Sequence, residues 1–126
     1  MTFGSPRWLL VPYVLNILIL VPVCYQMLFG RGVASVFEGQ VAESLGLRVM
    51  VGALWCAILI ASVAGIMWPE FFAPIVLVQI VYKFLWLVVF VVPLWHSGGR
   101  IPSGITLVFA CIVVAYPVFF RMALSD

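Results

Sequence analysis

Long apolar runs broken by short polar clusters set the pattern of this chain. The runs cover about residues 8–29, 48–68, 71–95 and 102–121. Each is about 20–25 residues long, which at 1.5 Å per residue matches a hydrocarbon core near 30 Å. The pattern predicts an all-α integral membrane protein, a bundle of four transmembrane helices forming a single membrane domain over residues 1–126. Four crossings place both termini on the same side.

The first run contains no charge, and its interruptions are Asn16, Gln26, Pro12 and Pro22. Prolines are tolerated in membrane helices where neighbouring groups satisfy the freed carbonyls, so a bent but continuous helix is expected. This run exceeds the roughly 7–15 residues of a secretory h-region, and it is expected to remain as a membrane helix. In the second run Ala53, Ala57, Ala61 and Gly65 recur every four residues and form one ridge of small side chains. Such ridges let helices approach closely in lipid, so this one predicts packing, within the chain or against a partner. Trp68-Pro69-Glu70 and His96-Ser97-Gly98-Gly99-Arg100 read as turns. Pro102 suits the first turn of the fourth helix. Trp8, Trp68 and Trp95 fall at predicted helix ends, where aromatic rings favour the headgroup level.

The one long polar stretch, GRGVASVFEGQVAESLGL at residues 30–47, reads as an interfacial loop with a short amphipathic helix. Arg31, Arg48 and Arg100 lie on its side of the bilayer, and Arg7 and Arg121 lie on the side of the termini. The positive-inside count leans by one charge towards a cytoplasmic loop, and the amino terminus offsets it.

Composition agrees with the pattern. The chain is 67% hydrophobic and 8% charged, against about 25% charged in soluble domains. A soluble domain this small could not hide so much apolar surface. The net charge of +2 is weak and scattered and the chain has no basic run, which excludes a nucleic-acid surface. Cys24, Cys56 and Cys111 each lie in an apolar run without ligand spacing, and they read as small packed hydrophobes.

Lys83 is the residue that composition does not explain. It lies twelve residues from Phe71 and twelve from Trp95, about 18 Å from either end, too far for its stem to reach water. A charge there costs at least about 2.5–3.5 kcal/mol, so Lys83 must face the bundle, be paired or be neutral. The four acids are Glu38, Glu43, Glu70 and Asp126, and none lies in a run. Gln79 sits one turn before Lys83 on the same face, and Asn16, Ser62, Thr106 and Tyr116 are polar candidates on other helices. Glu38 or Glu43 could reach it only if the loop dips inward. Three roles remain open: a proton, anion or cofactor site; a hydrogen-bond donor fixing helix register; and a contact with another chain. Tyr82, Phe84, Trp86 and Phe90 surround it in sequence, a density that fits helix packing or the lining of a quinone or pigment pocket.

The remaining polar residues offer less. Arg48 opens the second helix and suits lipid phosphate. His96 lies alone at an interfacial turn and lacks the companions of a metal or haem site. The chain has no Gly-rich phosphate loop, no HExxH and no nucleophile elbow. No intramembrane carboxylate is present to drive a proton-coupled exporter.

The passage LGLRVMVGALWCAILIASVAG resembles the second-helix motif of small bacterial four-helix membrane proteins of the DoxX-like sort. QIVYKFLWLVVFVVPLW and IPSGITLVFACIVVAYP also resemble bacterial membrane proteins. The resemblance implies four helices and carries over no activity or catalytic residue.

The leading functional expectation is a non-catalytic accessory or structural subunit of a larger membrane complex, photosynthetic or respiratory, in the bacterial inner membrane. Its partners would be lipids and other membrane subunits. The alternative is binding or transport of a small hydrophobic molecule, a quinone, carotenoid or lipid, with Lys83, Gln79, Tyr82 and Trp86 lining the pocket. A membrane enzyme using Lys83 is the third and weakest. No metal is expected, and bound lipid, quinone or pigment is the cofactor class that fits.

Overall fold

The computed structural model describes residues 3–29 and 45–124. Four helices are long and apolar enough to cross a membrane: α1 (Pro6–Phe29), α2 (Leu45–Met67), α3 (Ala73–His96) and α4 (Ser103–Leu124). Among the described residues there is no strand. The fold is the expected all-α four-helix bundle. Most of the predicted 30–47 loop, with Arg31, Glu38 and Glu43, lies outside the described residues. Its last part does not: Leu45–Leu47 open α2 ahead of Arg48. The helix can start that early because a long arginine stem reaches the headgroups from within the first turn.

The first turn of α1, Pro6–Leu9, is 3₁₀ and becomes α-helical at Leu10. The helix then runs unbroken through Pro22. α3 is less regular than its apolar sequence predicts. Leu87–Val91 form a π-helical turn, with the Val92 N–H reaching Leu87 O. Pro93 follows directly. It has no N–H, and its ring crowds the carbonyl one turn back, so the wider turn accommodates it. α3 then stops at a glycine. Gly98 has φ +80°, its N–H bonds Trp95 O, and the Gly99 N–H bonds Leu94 O. These paired bonds satisfy the last carbonyls of α3 and need the left-handed residue that glycine supplies.

α1 packs along α2, and α3 packs along α4, as two antiparallel pairs. The first turn of α1 also packs on α4, where the Ser5 N–H bonds Ala123 O at 3.0 Å. The residues before α1, the end of α4 and the 68–72 turn therefore share one end of the bundle. At that end Phe3, Leu9, Tyr13, Val76, Tyr116 and Phe120 form one apolar cluster. Towards the other end Leu20, Cys24, Met27, Trp55, Ile58, Ile105 and Phe109 form a second.

The polarity of the bundle is inverted relative to a water-soluble protein. Asn16, Ser62, Gln79 and Lys83 are all buried, the last only 4% exposed. Val89, Val114, Leu18 and Phe29 are two-thirds exposed or more. An apolar exterior around a polar interior is stable when hydrocarbon surrounds it, because lipid tails accept the outer side chains and cannot hydrogen-bond the inner ones.

Candidate functional site

Two polar groups occupy the interior. The first ties three helices together. Asn16 on α1 donates from Nδ2 to Ser62 Oγ on α2 at 2.9 Å. The Ser62 hydroxyl donates in turn to Ile58 O, one turn back, at 2.8 Å. The Tyr116 hydroxyl on α4 donates to Asn16 Oδ1 and lies 3.2 Å from Pro12 O. This arrangement engages the amide of Asn16 at both ends, one N–H and one acceptor position. These residues, expected as partners for Lys83, instead satisfy one another.

The second group is built on α3. Lys83 lies ten residues beyond Ala73 and thirteen before His96, about 15 and 20 Å from the two helix ends. Its ammonium donates to Gln79 Oε1 at 3.1 Å and to the Tyr82 hydroxyl oxygen at 2.9 Å. The Tyr82 ring centroid lies 4.5 Å from Nζ and that of Phe109 lies 5.3 Å away, both within reach of the cation–π attraction. Trp55 on α2 lines one cavity together with Tyr82 and Lys83. Gln79 Nε2 sits 3.4 Å from Ile75 O. Among the described residues no carboxylate enters this site, and Glu70, the one described acid, lies in the turn between α2 and α3.

Beside Lys83 the two helix pairs part and enclose a cavity of about 370 Å³. Its walls come from α1 (Asn16, Ile19, Leu20, Pro22, Val23, Gln26), α4 (Gly104, Ile105, Val108, Phe109, Ile112), α3 (Gln79, Tyr82, Lys83) and Trp55 of α2. Pro22 and Gly104 on its rim are exposed, so the cavity opens between α1 and α4 to the surroundings of the bundle. Gln26 lies three residues from the end of α1, and Gly104 is the second residue of α4. The cavity therefore runs from the loop-side end of the bundle to the polar groups at mid-depth. Its volume falls within the range of about 300–1,000 Å³ typical of small-molecule sites, and its mostly apolar lining with a few convergent polar groups has the same character.

Of the four pocket residues expected from sequence, Lys83, Gln79 and Tyr82 line this cavity. Trp86 stands behind it, stacked on Phe90 and edge-on to Phe109. Asn16, Trp55 and Phe109 belong to the wall and come from other helices. Tryptophan and phenylalanine inside an apolar run carry no sequence mark of facing a cavity.

The small-residue ridge divides. Gly65 is buried against Tyr13, Ala61 is half-buried, and Ala53 and Ala57 are exposed. The seam of α2 inside the chain instead carries Gly52, Trp55, Ile58, Ser62 and Gly65. Arg48 lies half-buried in the first turn of α2, and His96 is exposed at the end of α3. Among the described residues no group of His, Cys, Asp or Glu could hold a metal ion. Thr106 Oγ1 is buried without a hydrogen-bond partner among the described residues.

No family model matches this chain, and neither a curated protein nor a solved structure matches it.

Proposed function

We propose that the protein binds a small lipid-soluble molecule carrying a polar oxygen, of the quinone or lipid kind, in the cavity between α1 and α4. The observation that supports this most directly is the placement of Lys83, Gln79 and Tyr82 together on the wall of a mostly apolar cavity that opens sideways from the bundle. An intramembrane lysine marks a functional site by default. Here its donors converge on a space of ligand size. A carotenoid hydrocarbon would leave those donors unused, so an oxygen-bearing ligand fits better. Lys83 serves as a binding group in this reading, and no reaction is assigned to the chain. We place the protein in the bacterial inner membrane as a multi-pass protein.

The test is purification in mild detergent followed by mass spectrometry of extracted small molecules. The wild-type protein should carry a lipid-soluble compound in stoichiometric amount, and Lys83→Met should release it. Recovery of bare protein from both would end this reading.

The accessory-subunit expectation is supported by a separate observation. Ala53 and Ala57 leave a shallow strip on the outer face of α2, of the kind against which a second helix packs closely in lipid. Co-purification of larger membrane proteins, lost when both alanines are made leucine, would favour it.

A further inference from the structure

We infer that the cavity selects an anionic head, a carboxylate on an apolar chain, and that Lys83 and Tyr82 hold that head jointly. This rests on the ligand-binding reading and names its ligand class. The ammonium of lysine has three N–H donors and no acceptor. Gln79 Oε1 and the Tyr82 oxygen take two of them, and one donor remains. The Tyr82 oxygen accepts from Lys83, and among the described residues its own O–H meets no acceptor. A hydroxyl that accepts a hydrogen bond still has its own hydrogen to give. The wall thus offers two unspent donors on adjacent residues, and both residues line the cavity.

Charge points the same way. Among the described residues lining the cavity, Lys83 is the one Lys, Arg, Asp or Glu. Glu70, the one acid among the described residues, lies in the turn between α2 and α3. The aromatic faces of Tyr82 and Phe109 moderate the cost of a cation here but supply no countercharge. A carboxylate brings a negative charge, which no described residue of the wall supplies, and an oxygen for each donor. An ester or an alcohol of the same length brings oxygen without charge. The apolar remainder of the ligand would lie along Ile19, Val23, Ile105 and Val108 and leave past Pro22 and Gly104.

The experiment uses the full chain in dodecyl maltoside and measures equilibrium binding of palmitate, methyl palmitate, hexadecanol and decylubiquinone. Palmitate should bind at least about tenfold more tightly than the ester or the alcohol, the ratio expected for one charge-assisted hydrogen bond. Lys83→Met should erase that preference, and Tyr82→Phe should reduce it. Equal binding of acid, ester and alcohol, or a preference that survives Lys83→Met in folded protein, overturns the inference. If decylubiquinone or the neutral lipids bind in that case, the ligand-binding reading stands without the carboxylate. Failure of all four probes overturns both. Should Lys83→Met not yield folded protein, the wild-type ranking together with Tyr82→Phe decides: acid preference reduced by Tyr82→Phe supports the inference, and any other result overturns it.

Discussion

Gly65 lies flat against the ring of Tyr13, so that a methyl group on its Cα would fall 2.8 Å from Cζ and 2.9 Å from Cε1 and Cε2. The ring cannot swing aside. Tyr13 is wholly buried, and its hydroxyl donates to Pro69 O at 2.8 Å. Gly65→Ala is therefore expected to destabilise the bundle by about 1–3 kcal/mol, the usual cost of overpacking a tight contact. Unfolding in mixed micelles with increasing dodecyl sulfate measures it. Tyr13→Phe keeps the ring and loses only the bond to the turn, so its cost should be smaller, about 0.6 kcal/mol.

Asn16 links α1 to both α2 and α4, through its N–H to Ser62 and its oxygen to Tyr116. A double-mutant cycle between Asn16→Ala and Ser62→Ala should give a coupling of about 0.6 kcal/mol, with about 1.7 as the ceiling seen for such bonds in lipid. A coupling near zero would mean that the 2.9 Å contact contributes nothing beyond packing.

Substitutions at the α3 site should be asymmetric. Lys83→Met removes the charge and its donors together and leaves Gln79 and Tyr82 with acceptors that can stay unpaired at modest cost. The unpaired Gln79 oxygen should cost about 1 kcal/mol, the low end for a buried unsatisfied group, because the desolvated charge is removed with its donors. Gln79→Leu instead strips an acceptor from a buried ammonium and should cost more, about 1–3 kcal/mol. The same micelle titration ranks the two, and the reverse order would refute this account of the site.

The topology predicts opposite labelling of the two turns. In a background with Cys24, Cys56 and Cys111 changed to alanine, Glu70→Cys and Ser97→Cys place single thiols in the turns after α2 and α3. A membrane-impermeant maleimide added to sealed, oriented vesicles should label one and spare the other. Labelling of both from one side would rule out four crossings.

The four spans were legible because a run of apolar residues long enough to cross lipid has few other fates, and helix ends moved by only a few residues. The glycine turn after α3 was legible for the same local reason, since Gly98 adopts the backbone conformation its sequence context suggests. Lys83 and Gln79 could be paired in advance because residues four apart share a helix face. Tyr82 was placed in the pocket by proximity in sequence, and its bond to Lys83 depends on the length of the lysine stem curling back across one residue.

What sequence could not supply was rotation and register between helices. α2 carries small residues on nearly every face, including Gly52, Ala53, Ala57, Ala61, Ser62, Ala64 and Gly65. Spacing alone cannot choose which stripe turns inward. In the bundle the choice follows Trp55 and Ser62, whose partners sit on other helices, and Ala53 and Ala57 are left outside. The polar residues of different spans likewise gave no sign of which would meet: Asn16 found Ser62 and Tyr116, and the Thr106 hydroxyl found no partner among the described residues. The π-helical turn before Pro93 was hidden inside a run that looked uniform because hydropathy is blind to a missing N–H.

Lys83 carries both of its hydrogen-bond acceptors on its own helix, within a single turn. α3 can thus take its cation into the bilayer already partly solvated, before any neighbour has arrived. The roughly 2.5–3.5 kcal/mol that a central lysine adds to insertion is reduced during biogenesis itself, and α3 need not wait for α4 to be synthesised. A segment that brings its own acceptors for the cation leaves the later helix to close over the cavity.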